Sequence, residues 1–396
     1  MTKFDRRSFL KSSALVAIPT FGAGSALASV YLSVKEKPEP ERKVVLIGDG
    51  PRYSPSETLE ELQKINAITP ILNDSYGKGG TVQALEEKFA ELTGKEKAIF
   101  IPTGTLANQL AIAALSGKKA KVIVQDLSHI NRDEADANLE FNTKLVPLAL
   151  EKTYFTAEEL QRKIQNLPSE EYFYSGIGAI SIENPVRRAN GEFIPIEELV
   201  KIKQVCDAES IKMHLDGARL YFASAWSGVP IKDYCSLFDT VYISLYKYLG
   251  ANGGAILCGE KSLIEDMPRQ IKVHGGNIYQ NWVNSALALY HIESIEQKLK
   301  EVKKRSDELL NELDHIEGVS VEFKKNSTNV YLVQLPTAIN TKKMSQQLDK
   351  EFNIVIIPAS ETNRLMIMMN ETILNQSSNL ILNAFKTCLS NPENFG

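Results

Sequence analysis

Lys212-Met-His-Leu-Asp-Gly-Ala-Arg-Leu220 decides the fold: a short apolar run ends in a carboxylate, Asp216, with Arg219 one turn beyond it. A second run of the same kind, Thr240-Val-Tyr-Ile-Ser-Leu245, leads to Lys247. Both have strand length and β-forming content, and the stretch between them, Ala218 to Trp226, has a helical pattern. Two strands of an α/β sheet would then each deliver a charged residue at a carboxyl end, where open sheets bind ligands. A lysine and an aspartate delivered together suit pyridoxal phosphate, which needs an amine for its Schiff base and an anion beside its ring nitrogen. On these residues alone, a surface ion pair at two strand ends competes with that reading.

Upstream segments favour the cofactor. Ile101-Pro-Thr-Gly-Thr105 follows a short strand, Lys97 to Ile101, and opens a helix from Leu106 to about Leu115. Gly104 and Thr105 at a helix start offer open backbone N–H groups, a hydroxyl and the positive dipole end, which together make a phosphate site. Lys121-Val-Ile-Val124 reads as the next strand, and His129 stands just past it in a strand-end loop, where a flat imidazole can stack on a ring.

In this order the motifs resemble those of the low-specificity threonine aldolases, within the β-eliminating lyases of the aspartate-aminotransferase fold. The matching segments are Asp74-Ser-Tyr-Gly77, Pro102-Thr-Gly-Thr-Leu-Ala-Asn108, His129, Ile182-Glu-Asn184, His214-Leu-Asp-Gly-Ala-Arg-Leu220, Lys247-Tyr-Leu-Gly250, His274-Gly-Gly276 and Arg364. The resemblance spans roughly residues 45 to 390. It implies an α/β fold with a mostly parallel sheet covered by helices, and a smaller C-terminal α+β domain.

The resemblance also assigns roles. Lys247 attaches pyridoxal phosphate and later moves the Cα proton. Asp216 holds the ring nitrogen protonated, since an adjacent anion favours the charged form. Arg219 faces the cofactor's phenolate oxygen or the substrate carboxylate, Gly104 and Thr105 take the phosphate, and His129 stacks on the ring. Arg364 matches an arginine that grips the substrate α-carboxylate through a bidentate fork. Tyr76 matches a tyrosine supplied by a neighbouring subunit, which implies a homodimer or homotetramer. The implied reaction is cleavage of a β-hydroxy amino acid to glycine and an aldehyde. β-Elimination, racemisation and transamination use the same cofactor and stay open, and an exported, non-catalytic binding protein is a further alternative.

Three departures bear on that reaction. Many threonine aldolases carry a histidine after the Glu-Asn pair, placed to take the β-hydroxyl proton. Here the segment runs Glu183-Asn-Pro-Val-Arg-Arg-Ala-Asn-Gly191, with Arg187 and Arg188 as candidate contacts for an anionic side chain. Tyr246 precedes the lysine where serine is common, and Ile47-Gly-Asp-Gly50 stands where the family often has a Ser-Asp carboxylate contact.

The chain has 396 residues, 43% hydrophobic and 24% charged, enough for a large core and a second domain. A net charge of −4 argues against a nucleic-acid surface. The four cysteines, Cys206, Cys235, Cys258 and Cys388, lack metal or disulfide spacing. At the N-terminus, Asp5-Arg-Arg-Ser-Phe-Leu-Lys11, an apolar stretch from Ala14 to Ala23, and Ala26-Leu-Ala28 form a twin-arginine signal with a small-residue cleavage pattern. The apolar stretch is shorter than the roughly eighteen residues a membrane span needs. The expected organisation is a signal at 1–28, a charged, proline-bearing tether at 29–44, a cofactor-binding large domain at 45–270 and a small domain at 271–396. The protein is thus expected to pass through the twin-arginine export machinery to the periplasm.

Overall fold

The computed structural model describes residues 42–359 and 362–395. The twin-arginine run, its apolar stretch, the cleavage pattern and most of the tether lie outside the described residues. After a short strand, β1 (Val44–Val45), come β2 (Lys97–Ile101), β3 (Lys121–Gln125), β4 (Lys144–Leu148), β5 (Ile177–Glu183), β6 (Lys212–Asp216), β7 (Thr240–Ser244) and β8 (Ala255–Gly259). These last seven form one sheet of order β2-β8-β7-β6-β5-β3-β4. β8 runs antiparallel to both neighbours and all other pairs are parallel.

The sequence explains why the sheet sits in the middle of the protein. Every residue of β3, β5, β7 and β8 is buried, as continuous apolar strands covered on both faces require. Helices such as Gly80–Thr93, Gly104–Ser116 and Ile196–Ala208 supply those covers. β4 escaped the sequence pattern because Pro147 interrupts it. It pairs only with β3, and an edge strand tolerates a residue that has no N–H to give.

A second sheet, of order β12-β10-β9, is antiparallel: β9 (Ser320–Glu322), β10 (Val330–Gln334) and β12 (Arg364–Met368). Between the last two lies β11 (Ile354–Val355), which pairs in parallel with β1. Val44 and Leu46 are therefore fully packed in the smaller core. The tether expected to run through residue 44 ends sooner, and the chain enters the fold through the smaller unit rather than the large one. The chain closes with a 3₁₀ turn, Glu371–Asn375, and a helix, Ser378–Ser390, started by the Ser377 cap. The 33-residue helix Trp282–Asp314 links the two cores. Ala288, Ile292, Ile295 and Leu299 pack in the large core, and Val302, Leu309, Leu310 and Leu313 in the small one.

Candidate active site

A cavity of about 260 Å³ opens at the carboxyl ends of β6 and β7. Six residues expected from the sequence line it: Gly104, Thr105, His129, Asp216, Arg219 and Lys247. The sheet itself brings them together. β6 ends in Asp216, β7 ends just before Lys247, and the register sets Glu183 of β5 beside Asp216.

Lys247 is mostly buried, and its pKa falls to about 8, first through burial and then through the Arg219 charge nearby. Asp216 is buried at 2% exposure and held from both sides. Its Oδ1 accepts from the Ala218 N–H at 3.1 Å and its Oδ2 from Asn108 Nδ2 at 2.9 Å. Such an aspartate is fixed in place and faces the cavity as an acceptor. Arg219 is clamped by Asp49, with Nε and Nη2 donating to the two carboxylate oxygens at 2.7 and 2.9 Å. This pair is the role found for the Ile47-Gly-Asp-Gly50 segment, which the sequence marked only as a departure.

At the start of the Gly104–Ser116 helix, Thr103 accepts from Leu106 N–H through its hydroxyl and from Ala107 N–H through its carbonyl. The N–H groups of Gly104 and Thr105 remain as open donors at a helix N-terminus. A Cβ on Gly104 would collide with the Tyr242 hydroxyl. The bare backbone, the open donors, the fixed carboxylate and the buried amine match the phosphate, the ring nitrogen and the aldehyde of pyridoxal phosphate. The residues fit that group.

His129 begins a single helical turn, His129–Arg132, rather than lying in an open loop. Its main-chain N–H donates to Glu183 Oε2 at 2.7 Å, and its Nδ1 lies 3.2 Å from Glu134 Oε1. The Glu134 hydrogen bond raises the His129 pKa against the effect of burial. Burial first, and Asp216 second, push the Glu183 carboxyl up. Sequence reasoning missed Asp49, Asn108, Glu134, Glu183 and Tyr242 as parts of the site. Asn108 and Glu183 stood in matched motifs without an assigned role. Glu134 has no signal except its position five residues after His129.

Two expected residues are not brought to the cavity. Arg364 lies half-exposed at the start of β12 and pairs with Glu322 of β9, diagonally across β10. The outward pleat of β12 carries the side chain to another carboxylate. Tyr76 is 51% exposed, and its ring meets Tyr279 edge-on at 5.3 Å. Arg187 and Arg188 are both engaged by Asp133, Arg188 at 2.6 and 2.9 Å. Val186, in the same segment, is fully buried.

A family model for beta-eliminating lyases matches residues 56–336. The chain belongs to the β-eliminating lyase family. A probable low-specificity L-threonine aldolase of Schizosaccharomyces pombe is 32% identical over 304 residues, 74% of this chain and 79% of that one. An alanine racemase of Cochliobolus carbonum is 30% identical over 76% of this chain and 78% of its own length. Among solved structures, a putative L-allo-threonine aldolase of Listeria monocytogenes superposes with a TM-score of 0.74 at 24% identity, over 88% of this chain and 96% of that one. The fold of this family member is therefore that of the pyridoxal-phosphate lyases, with a mostly parallel sheet and a small C-terminal sheet.

Proposed function

We propose that the protein is a pyridoxal-phosphate-dependent lyase that breaks the Cα–Cβ bond of a threonine-like β-hydroxy amino acid, giving glycine and an aldehyde. The observation that carries this reading is the cavity itself: the Lys247 amine, the fixed Asp216 carboxylate and the open Gly104 and Thr105 donors face one space. The names of the aldolase relatives point to the same substrate class.

Pyridoxal phosphate, when bound, supplies an aldehyde for covalent attachment and an electron-accepting ring. Lys247 provides the attaching amine; with a pKa near 8 a usable fraction is uncharged at neutral pH. Asp216 holds positive charge at the ring nitrogen, which keeps the ring able to accept electrons. The Gly104 and Thr105 N–H groups receive the phosphate at the helix N-terminus. Arg219, held by Asp49, lines the cavity and would offer its remaining N–H groups to the substrate carboxylate or the phenolate oxygen. Cleavage releases the β-hydroxyl proton and returns a proton to Cα. Lys247 and His129 are the cavity-lining groups suited to carry them.

The product balance tests the reading. Incubation with L-threonine and with phenylserine should give glycine and the matching aldehyde in equal amounts. Ammonia with a keto acid would make the enzyme an eliminase, and stereochemical exchange without cleavage would make it a racemase; either result overturns the aldolase assignment.

We further propose a homo-oligomer in which Tyr76 completes a neighbour's cavity, because this exposed tyrosine lies outside the cavity of its own chain. A Tyr76→Phe variant that retained full activity in an oligomer would argue against that. Export through the twin-arginine machinery to the periplasm is proposed from the sequence of residues 5–28 alone, the Arg6-Arg7 pair with the apolar stretch and cleavage pattern that follow it. Replacing both by lysine should leave the protein in the cytoplasm of the producing cell.

A further inference from the structure

Behind the cavity wall, polar side chains join into an unbroken chain. Glu134 has no exposed side-chain surface, and two amide N–H donors and one imidazole nitrogen converge on its two oxygens. Asn108 Nδ2 donates to Oε1 at 2.8 Å and Gln109 Nε2 to Oε2 at 2.6 Å, while His129 Nδ1 lies 3.2 Å from Oε1. The same Asn108 amide donates its other hydrogen to Asp216 Oδ2 at 2.9 Å. Two carboxylates thus fix which way the Asn108 amide points, since neither can donate to it. Its oxygen then faces His214 Nε2 at 3.0 Å, and Thr240 Oγ1 lies 2.9 Å from the other ring nitrogen. His214 is buried, with a pKa lowered to about 4 by that burial, and serves as a neutral donor to the amide. The chain His129–Glu134–Asn108–Asp216 is therefore continuous and every link in it has a defined direction.

We propose that Glu134 is a positioning residue: it holds the His129 imidazole at the cavity with its proton on Nδ1. Through the single amide of Asn108, it also makes the protonation of that imidazole and the negative charge of Asp216 depend on one another. The inference rests on the proposed cofactor site and goes further, because it assigns the group that controls the stacking histidine. A buried acceptor beside Nδ1 selects one tautomer and leaves Nε2 as the open nitrogen. The charged groups around His129 are Glu134 just past its turn, Asp216 at the end of β6, Glu183 at the end of β5, and Asp133, itself held by Arg187 and Arg188. Of these only Glu134 reaches the ring by a hydrogen bond.

The test is nitrogen-detected NMR on the cofactor-free, full-length protein with labelled histidine, in which all five histidines can be followed. In the parent protein, neutral His129 should carry its proton on Nδ1, and the ring should titrate above an ordinary histidine. Glu134→Gln should lower that titration by about one pH unit or more, because a charged partner is replaced by a neutral one. Asp216→Asn should lower it too, by less. In the loaded enzyme, Glu134→Gln should move the pH dependence of cofactor absorbance and of kcat while cofactor remains attached to Lys247. A parent His129 protonated on Nε2 when neutral, or an unchanged titration in Glu134→Gln, would overturn the proposal. The tautomer is read in the parent protein, so a variant that fails to fold leaves the test intact. Loss of attachment at Lys247 in the parent would instead count against the cofactor site.

Discussion

Asp49→Asn is the perturbation that reaches furthest into this site for the smallest change in shape. Asp49 and Arg219 keep only 11% and 13% of their side-chain surface exposed, and two hydrogen bonds of 2.7 and 2.9 Å join them. Removing one charge of a buried pair leaves the other uncompensated, at a cost of roughly 3–5 kcal/mol. An asparagine also turns an NH₂ toward a guanidinium that has nothing but donors. Because some solvent reaches the pair, the lower end applies, about 3 kcal/mol. The change has a second consequence. Arg219 lowers the Lys247 pKa and Asp49 raises it, so the neutralised variant should hold Lys247 further below its value of about 8. Denaturant unfolding of the cofactor-free protein reads the first effect, and the pH profile of amine labelling at Lys247 reads the second. Stability within about 0.5 kcal/mol of the parent, the range of ordinary surface changes, together with an unchanged Lys247 profile, would refute the reasoning.

Two further outcomes follow from the same geometry. Asp216→Asn keeps the side chain's shape, with an NH₂ in place of one of its two accepting oxygens, and removes the anion facing the ring nitrogen; turnover should fall on the order of 10³-fold, as when fixed electrostatic stabilisation is lost, with cofactor content nearly retained, and equal activity would mean that no charge is needed there. The Lys247 pKa is lowered from 10.5 to about 8, so between those values the unfolded chain holds a proton that the folded chain lacks. Stability of the cofactor-free protein should therefore rise with pH across that window, by an amount on the order of 3 kcal/mol from this group. Lys247→Met should flatten that slope in pH-dependent unfolding, and an unchanged slope would show that the amine is not desolvated.

What the sequence disclosed and what it withheld have physical reasons. β6 and β7 were legible because each is a short run of strand length and content, and Asp216 and Lys247 because their charge follows such a run. Gly104 and Thr105 announced themselves by a strand, a Gly-Thr pair and a helix in direct succession. Asp49 was illegible as a partner because its arginine lies 170 positions away, and only the folded chain brings the two together. Glu134 looked like any surface glutamate until the His129 turn folded it inward against Asn108. Arg364 illustrates the opposite failure. Its match to the family's arginine was evident, but pleat and neighbouring strands decide where a strand's first side chain points, and here they give it Glu322.

The central claim is that the cavity at the ends of β6 and β7 binds pyridoxal phosphate through Lys247, and borohydride reduction of the loaded protein followed by peptide mapping tests it most directly. One phosphopyridoxyl adduct is expected, on the peptide containing Lys247, and none in Lys247→Ala; an adduct on a different lysine, or no adduct at all in a protein that binds the cofactor, would contradict attachment at Lys247.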